Sequence, residues 1–147
     1  MEKMIAEHSL EGCVKLVGAK TQGEVGEILR QSHVFAFPSI RELGAGVVIE
    51  AMGSGLPCVV FNSGAQGCLV DETRGVPVKL VPRDQMPALL ANAMLRYIDE
   101  TGLLQEHRDN ALAYAAGYTW RHTAENILET IRWTTGEIEE KPEFYPL

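Results

Sequence analysis

Two glutamates, Glu42 and Glu50, have seven residues between them and stand on either side of a glycine-rich stretch. Between them lie Gly44, Ala45 and Gly46, which have little or no side chain and lead into an apolar run typical of a helix. Main-chain N–H groups at such a helix start can approach a ligand closely, and together with the helix dipole they favour an anion such as phosphate. The stretch therefore predicts a phosphate-binding loop with a carboxylate on each side.

The two carboxylates would repel a bound phosphate unless each contacted an uncharged part of the same ligand. Glu50 falls about one turn, roughly 5 Å, into the predicted helix, where it can accept hydrogen bonds from hydroxyl groups. Glu42 would face the opposite end of the phosphate. A diphosphate with a polyhydroxyl group at each end, as in a nucleotide sugar, fits this arrangement. Stabilisation of the helix dipole and close helix packing would explain the same residues, so the spacing alone leaves both interpretations open.

Apolar segments of strand length predict a parallel sheet that positions this stretch. Residues 34–39 and 57–61 are apolar without alternation, as strands covered on both faces must be. Residues 75–81 alternate and contain a proline, which suits an edge strand. A fourth strand is expected over 13–18. The glycine pattern at 44–49 lacks the third glycine of a dinucleotide-binding fingerprint, so an NAD site is not expected.

Helices are predicted between and after these strands. Residues 1–8 are expected to end a helix, and Thr21 with Glu24 forms a capping box that begins a helix over 21–31. The helix near 46–54 should end at Gly55. Three more helices should begin near residues 84, 103 and 119. The last is expected to place an apolar stripe on its inner face: Trp120, Ala124, Ile127, Leu128 and Ile131.

This order of elements predicts an α/β fold, with a parallel Rossmann-like sheet and flanking helices. We expect one domain over residues 1–135, followed by an acidic tail over 136–147. In an open sheet of this kind, ligands bind beyond the carboxyl ends of the strands, where the loop 38–45 lies. The predicted phosphate site therefore falls where the fold class binds its ligands.

Composition excludes several other functions. The net charge is −7 without a cluster of Lys and Arg, which argues against nucleic-acid binding. No stretch is apolar enough to span a bilayer, the start does not resemble a signal peptide, and a cytoplasmic location is expected. Cys13 and Cys58 are interpreted as reduced, buried residues, and no metal site is expected. The four histidines are expected at surfaces or interfaces: His8, His33, His107 and His122.

The central segment resembles a known donor-binding signature. Residues 38–72 are similar to that of the large group-1 (family 4) retaining glycosyltransferases of GT-B architecture, and the resemblance extends over nearly the whole chain. The pattern runs P-S-x-x-E, then seven residues, then E-A-M-A-x-G-x-P-V-V and a glycine loop. It is matched here by Pro38, Ser39, Glu42, Glu50, Ala51, Met52, Gly55, Pro57, Val59 and Gly64.

The resemblance implies roles for these residues. Glu42 would contact the transferred sugar as the catalytic residue, Glu50 would contact the ribose, and the amides of Gly44 to Gly46 would hold the diphosphate. The reaction would be sugar transfer from a nucleotide sugar with retention of configuration, without a required metal or other cofactor. The chain departs from the pattern at Ala45, where glycine is common, and at residues 64–66. Three further residues are expected to bind the substrate: Ser39, Arg41 and Gly64.

The resemblance covers only the latter part of the second of two domains. The acceptor-binding domain and the basic loop that neutralises the leaving diphosphate have no counterpart in this chain, and Arg41 is the one basic residue beside the motif. The chain alone is therefore expected to be inactive and to need a missing N-terminal domain or a partner chain. The alternative is a non-catalytic binding or assembly subunit that a partner completes.

The same comparison predicts an exposed sheet edge. In the usual strand order two strands would lie between residues 13–17 and 34–37, and neither is present here. We expect the gap to close in one of two ways. Either the strand at 13–17 moves beside 34–37, or two chains associate as a homodimer.

Overall fold

The computed structural model describes residues 1–142, in which a parallel sheet of three strands lies between two layers of helices. The predicted α/β class is confirmed. The elements, in chain order, are α1 (Glu2–Glu7), α2 (Gln22–Gln31), β1 (Phe35–Phe37), α3 (Gly46–Gly53), β2 (Cys58–Phe61), α4 (Gly64–Leu69), β3 (Gly75–Val78), α5 (Met86–Asp99), α6 (Leu103–Ala116) and α7 (Trp120–Thr134).

The central strand β2 is buried along its whole length and pairs in parallel with β1 on one side and β3 on the other. Because side chains alternate along a strand, Cys58 and Val60 enter one apolar cluster while Val59 and Phe61 enter a second. Burial on both faces explains why this strand is apolar without alternation.

Helices cover each face of the sheet. On one face α3 packs against α6, with Val48, Ala51 and Met52 fully buried. On the other face α5 contributes Ala93 and, partly buried, Leu89. The expected end of α3 is also confirmed, since Gly55 takes a left-handed conformation with φ +77°.

The capping box of α2 is present as predicted. The amide of Thr21 donates to Glu24 Oε2 at 2.9 Å, and the amide of Glu24 donates to Thr21 Oγ1 at 3.4 Å. The helix then buries Leu29 against the first cluster. The local sequence is sufficient to predict this capping box because both of its residues lie within one helical turn.

The predicted strand at 13–18 is wrong. These residues form no strand, and Val14, Leu16 and Val17 are each more than two-fifths exposed. A strand needs a neighbour to satisfy its main chain, and residues 13–18 pair with no strand of the sheet. Within residues 1–142, β1 pairs with β2 alone, and its other edge stays free. Cys13 is exposed for the same reason, which also corrects its expected burial. The expected movement of this strand beside β1 is therefore not observed.

The predicted inner face of α7 is also wrong. The helix forms where expected, and Thr119 accepts a hydrogen bond from the His122 amide at 3.1 Å. However, α7 buries none of its residues, and Trp120 is 90% exposed. The core is already closed by α3 and α6, so the apolar stripe of α7 has no surface to cover within residues 1–142. The predicted division into residues 1–135 and a tail stays a prediction, and residues 143–147 of that tail lie outside the described part of the chain.

His107 is buried rather than at the surface, which corrects the expectation for this residue. It lies on α6, and its Nδ1 is 3.0 Å from the hydroxyl of Tyr97 on α5. Burial lowers the pKa of His107, a shift that the nearby carboxylate of Glu106 only partly opposes. The imidazole is therefore held neutral in a contact that joins the last two helices of the core.

This burial makes stability depend on pH. Because the folded state lowers the pKa of His107, the unfolded chain takes up the proton first. The stabilisation is complete above about pH 6.5, the usual value for histidine, and decreases as the pH falls below it. At pH 7.5, His107→Gln should lower the free energy of unfolding, measured in urea, by roughly 1–3 kcal/mol. The loss should shrink towards pH 5.

His33→Gln is the matched control, since His33 is exposed. Its effect on the free energy of unfolding should be small at every pH. A difference between wild type and His107→Gln that stays constant from pH 7.5 to pH 5 would contradict the interpretation.

Candidate functional site

The loop after β1 and the helix after β2 meet at one edge of the sheet. Because the two strands are parallel, their carboxyl ends lie side by side, which is where α/β sheets bind ligands. Gln66 on α4 is fully buried and donates from Nε2 to the main-chain oxygen of Ser39 at 2.8 Å. The amide of Ala65 donates to the main-chain oxygen of Glu42 at 3.5 Å. These two contacts attach the loop to α4.

Gly64 begins α4 at the point of closest approach. Its φ is +57°, and a Cβ at this position would lie 2.7 Å from the main-chain oxygen of Glu42. Both the backbone conformation and the lack of space favour glycine. The structure thus places Gly64 against the loop that carries Glu42.

Gly44 and Gly46 have no such structural requirement. Neither has a positive φ, and a Cβ at either position would meet no atom within 4 Å. The lack of a side chain at these positions leaves open space in front of the main chain. Between them Ala45 is 2% exposed and takes a left-handed conformation with φ 45°. Strain of this kind in a residue other than glycine is concentrated at functional sites.

The carboxylate of Glu42 turns back onto its own loop. Its Oε1 accepts hydrogen bonds from the amides of Leu43, Gly44 and Ala45 at 3.1, 3.4 and 3.5 Å. Three consecutive main-chain donors therefore converge on one anionic oxygen. Helix α3 itself has no side-chain cap at its N-terminus.

Glu50 lies on the exposed face of α3. It is not turned inward against the sheet, and its carboxylate forms no hydrogen bond or ion pair with another residue among 1–142. Arg41 is likewise exposed and makes no ion pair within these residues. Both side chains are thus available to a ligand or to another polypeptide.

A cavity of about 490 Å³ opens between the loop, α3 and α4. It brings together Glu42, Gly44 and Gly64, three of the predicted site residues. The other predicted residues, namely Ser39, Arg41, Ala45, Gly46 and Glu50, do not line it. The lining contains no Lys or Arg: Glu42, Leu43, Gly44, Ile49, Gly64, Ala65, Cys68, Leu69 and Tyr118.

Several of these residues were not predicted from the sequence. Gln66 holds the loop, while Cys68 and Tyr118 line the cavity. Helix α4 itself was expected to be a loop. Its six residues contain two glycines, which have low helix propensity. The segment is also too short to show the repeat of apolar residues that indicates a helix. A buried glutamine between two small residues carries no distinct sequence signal.

Two further classes of site have no counterpart within residues 1–142. No group of three His, Cys, Asp or Glu side chains in this part of the chain is placed to hold a metal ion. None of its helices is both long and apolar enough to cross a membrane.

Comparison with known proteins identifies the family. A family model described as "Glycosyl transferases group 1" matches residues 1–100. The chain belongs to the group 1 glycosyl transferases. The resemblance found in the central motif is thereby confirmed.

Curated relatives in this family are much longer than this chain. A D-inositol 3-phosphate glycosyltransferase of Nocardia farcinica is 32% identical over 71% of the chain, which covers 22% of that protein. The sucrose-phosphate synthase of Zea mays is 32% identical over 80% of the chain, which covers 11% of that protein. The chain thus spans a quarter or less of either relative.

Solved structures agree on the fold. A sucrose-phosphate synthase from Thermosynechococcus elongatus superposes with a TM-score of 0.75 at 24% identity, over 93% of this chain and 34% of that one. The pneumococcal O-GlcNAc transferase GtfA was solved in complex with UDP and GlcNAc. It superposes with a TM-score of 0.69 at 25% identity, over 95% of this chain and 27% of that one. Both are glycosyltransferases of GT-B architecture, so this group 1 chain has the fold of part of a GT-B enzyme.

The contact between Gly64 and the loop can be tested by substitution. Gly64→Ala should lower the free energy of unfolding by about 1–3 kcal/mol, because it adds both strain and a clash with the Glu42 oxygen. Gly23→Ala on α2, where a Cβ meets nothing within 4 Å, is the control and should stabilise the chain by about 0.5–1 kcal/mol. Urea denaturation measures both. Equal effects of the two substitutions would contradict the predicted contact.

Proposed function

We propose that the loop 38–45 and the start of α3 bind the diphosphate of a nucleotide sugar. The protein that contains this region would transfer the sugar to an acceptor with retention of configuration, in carbohydrate biosynthesis. The family supports sugar transfer from a donor as the general activity.

One observation carries the proposal. The amides of Leu43, Gly44 and Ala45 already converge on an anionic oxygen, that of Glu42. The carboxylate oxygen stands in for a phosphate oxygen, which makes the same charge-assisted hydrogen bonds. Open space in front of Gly44 would admit the ligand.

The exposed carboxylates then have separate roles. Glu50 would accept hydrogen bonds from the ribose hydroxyls, because it lies on the outer face of α3 beyond the loop. Glu42 would turn from the amides to the transferred sugar and act there as the catalytic residue. Arg41 and Gly46 would contact the phosphates, whereas Ser39 and Gly64 would support the loop main chain. No metal or other cofactor takes part in the proposed reaction.

The cavity of the proposed site has no positively charged side chain in its lining. No Lys or Arg lines the cavity, and a leaving diphosphate needs preorganised cationic groups. We infer that this chain alone is inactive and that another part of a glycosyltransferase supplies the acceptor site and the basic residues. The length of the relatives supports a larger protein, whereas a separate partner chain would make this chain a non-catalytic subunit.

The surface beside β1 supports such a partner. One edge of β1 is unpaired within residues 1–142. A groove of about 320 Å³ includes Phe35 of β1 and is lined mainly by apolar residues such as Ile28, together with Lys20 and Ser32. An open strand edge beside an apolar surface favours pairing with another polypeptide. A cytoplasmic location stays part of the proposal, and it is consistent with three free cysteines.

Nucleotide binding tests the proposed donor site. Titration of UDP, GDP or ADP should shift the amide resonances of Gly44 to Gly46 first. Glu50→Ala should weaken a nucleoside diphosphate by about tenfold but leave inorganic pyrophosphate nearly unchanged, because only the nucleotide has a ribose. Glu27→Ala, an exposed glutamate on α2, is the control and should change neither affinity. Equal weakening of both ligands by Glu50→Ala would count against the ribose contact.

Association tests the open edge. Since residues 13–17 form no strand beside β1, we expect the chain studied alone to form a homodimer through this groove, as measured by light scattering. Ile28→Asp should return it to a monomer, because a charge in the groove would be desolvated. Ile98→Asp is the control, since Ile98 is 78% exposed on α5, away from β1. A monomeric wild type would rule out the homodimer.

A further inference from the structure

We propose that Glu42 is an internal competitor for the phosphate, and that ligand binding exchanges its carboxylate for a phosphate oxygen. This inference rests on the proposed donor site and concerns its regulation. The ligand-free loop is then not an empty anion site but one closed by its own residue. The exchange gives the site two states, one with the carboxylate on the amides and one with the phosphate there.

The geometry makes the two occupants mutually exclusive. A single oxygen, Oε1 of Glu42, accepts from three consecutive amides, those of Leu43, Gly44 and Ala45. A phosphate oxygen bound to the same amides would occupy the same position. Two anionic oxygens would also repel each other at this distance. The carboxylate must therefore leave before the phosphate can bind in this place.

Only the side chain has to move in this exchange. The main chain of Glu42 is held through its oxygen, which accepts from the amide of Ala65 and packs against Gly64. The neighbouring oxygen of Ser39 is held by the buried side chain of Gln66. The amides consequently stay oriented while the carboxylate rotates away. The two states therefore differ only in the rotation of the Glu42 side chain.

The exchange favours ligands that give the released carboxylate a new partner. A phosphate with an attached sugar offers hydroxyl donors to Glu42, whereas a bare phosphate offers none. For a bare phosphate, the loss of the carboxylate's hydrogen bonds is uncompensated. Glu42 should therefore oppose the binding of simple anions, although it lies in a site that binds anions.

The test uses inorganic pyrophosphate and the full 147-residue chain, followed by amide NMR shifts. Pyrophosphate should bind Glu42→Ala about tenfold more tightly than wild type, which is the effect expected for one displaced charge-assisted interaction. Glu42→Gln should bind with intermediate affinity, because its neutral oxygen still reaches the amides but repels less. Glu27→Ala, which removes an equal charge on α2, should bind as wild type does.

A second measurement does not depend on a ligand. In the free protein Glu42→Ala should shift the amide resonances of Leu43, Gly44 and Ala45, because it removes the oxygen to which they donate. Glu27→Ala should leave these resonances unchanged, and the dispersed spectrum of each variant shows that it is folded.

The outcomes separate this inference from the proposed function. Tighter binding by Glu42→Ala supports both. If wild type binds pyrophosphate at these amides and Glu42→Ala binds equally or more weakly, the competitor role is overturned while the phosphate site stands. If neither protein binds pyrophosphate at the loop, the proposed site is overturned and the competitor role with it.

Discussion

Burial of β2 on both faces is the constraint on which the described structure depends. Its four residues are covered by α3 and α6 on one side and by α5 on the other. Transfer of these side chains from water supplies the main driving force, at about 25 cal/mol per Å² of apolar surface. Because β1 and β3 pair with this strand in parallel, the loops that follow the strands are brought to one edge. The position of the site is thus a consequence of how the core is formed.

At that edge, main-chain contacts rather than charges shape the site. Gly64 allows α4 to approach the Glu42 oxygen, and Gln66 binds the oxygen of Ser39. The loop is consequently oriented before any ligand arrives, which is what preorganised binding requires. The three amides that it presents donate to one carboxylate oxygen of Glu42. This oxygen occupies the position that we propose for a phosphate oxygen.

Other parts of the described chain are built differently. The segment 13–18, the free edge of β1 and the apolar stripe of α7 are all exposed. Trp120 is 90% exposed, and exposed apolar surface of this kind supports the partner that we propose. The described part of the chain therefore combines a closed core with an exposed apolar surface.

Local sequence determined the elements whose signals lie within one or two turns. The capping box at Thr21 and the left-handed Gly55 were predictable because the residues that they contact are neighbours in the chain. The apolar strand at 57–61 was predictable because burial on both faces sets its composition. The motif from Glu42 to Glu50 likewise indicated the family.

Tertiary structure decided the rest. Whether 13–18 forms a strand depends on a neighbouring strand, and whether α7 is covered depends on a partner surface. The orientation of the Glu42 carboxylate depends on the direction of three amides. That direction is set only when α4 packs against the loop, so it cannot be predicted from a pattern of residues.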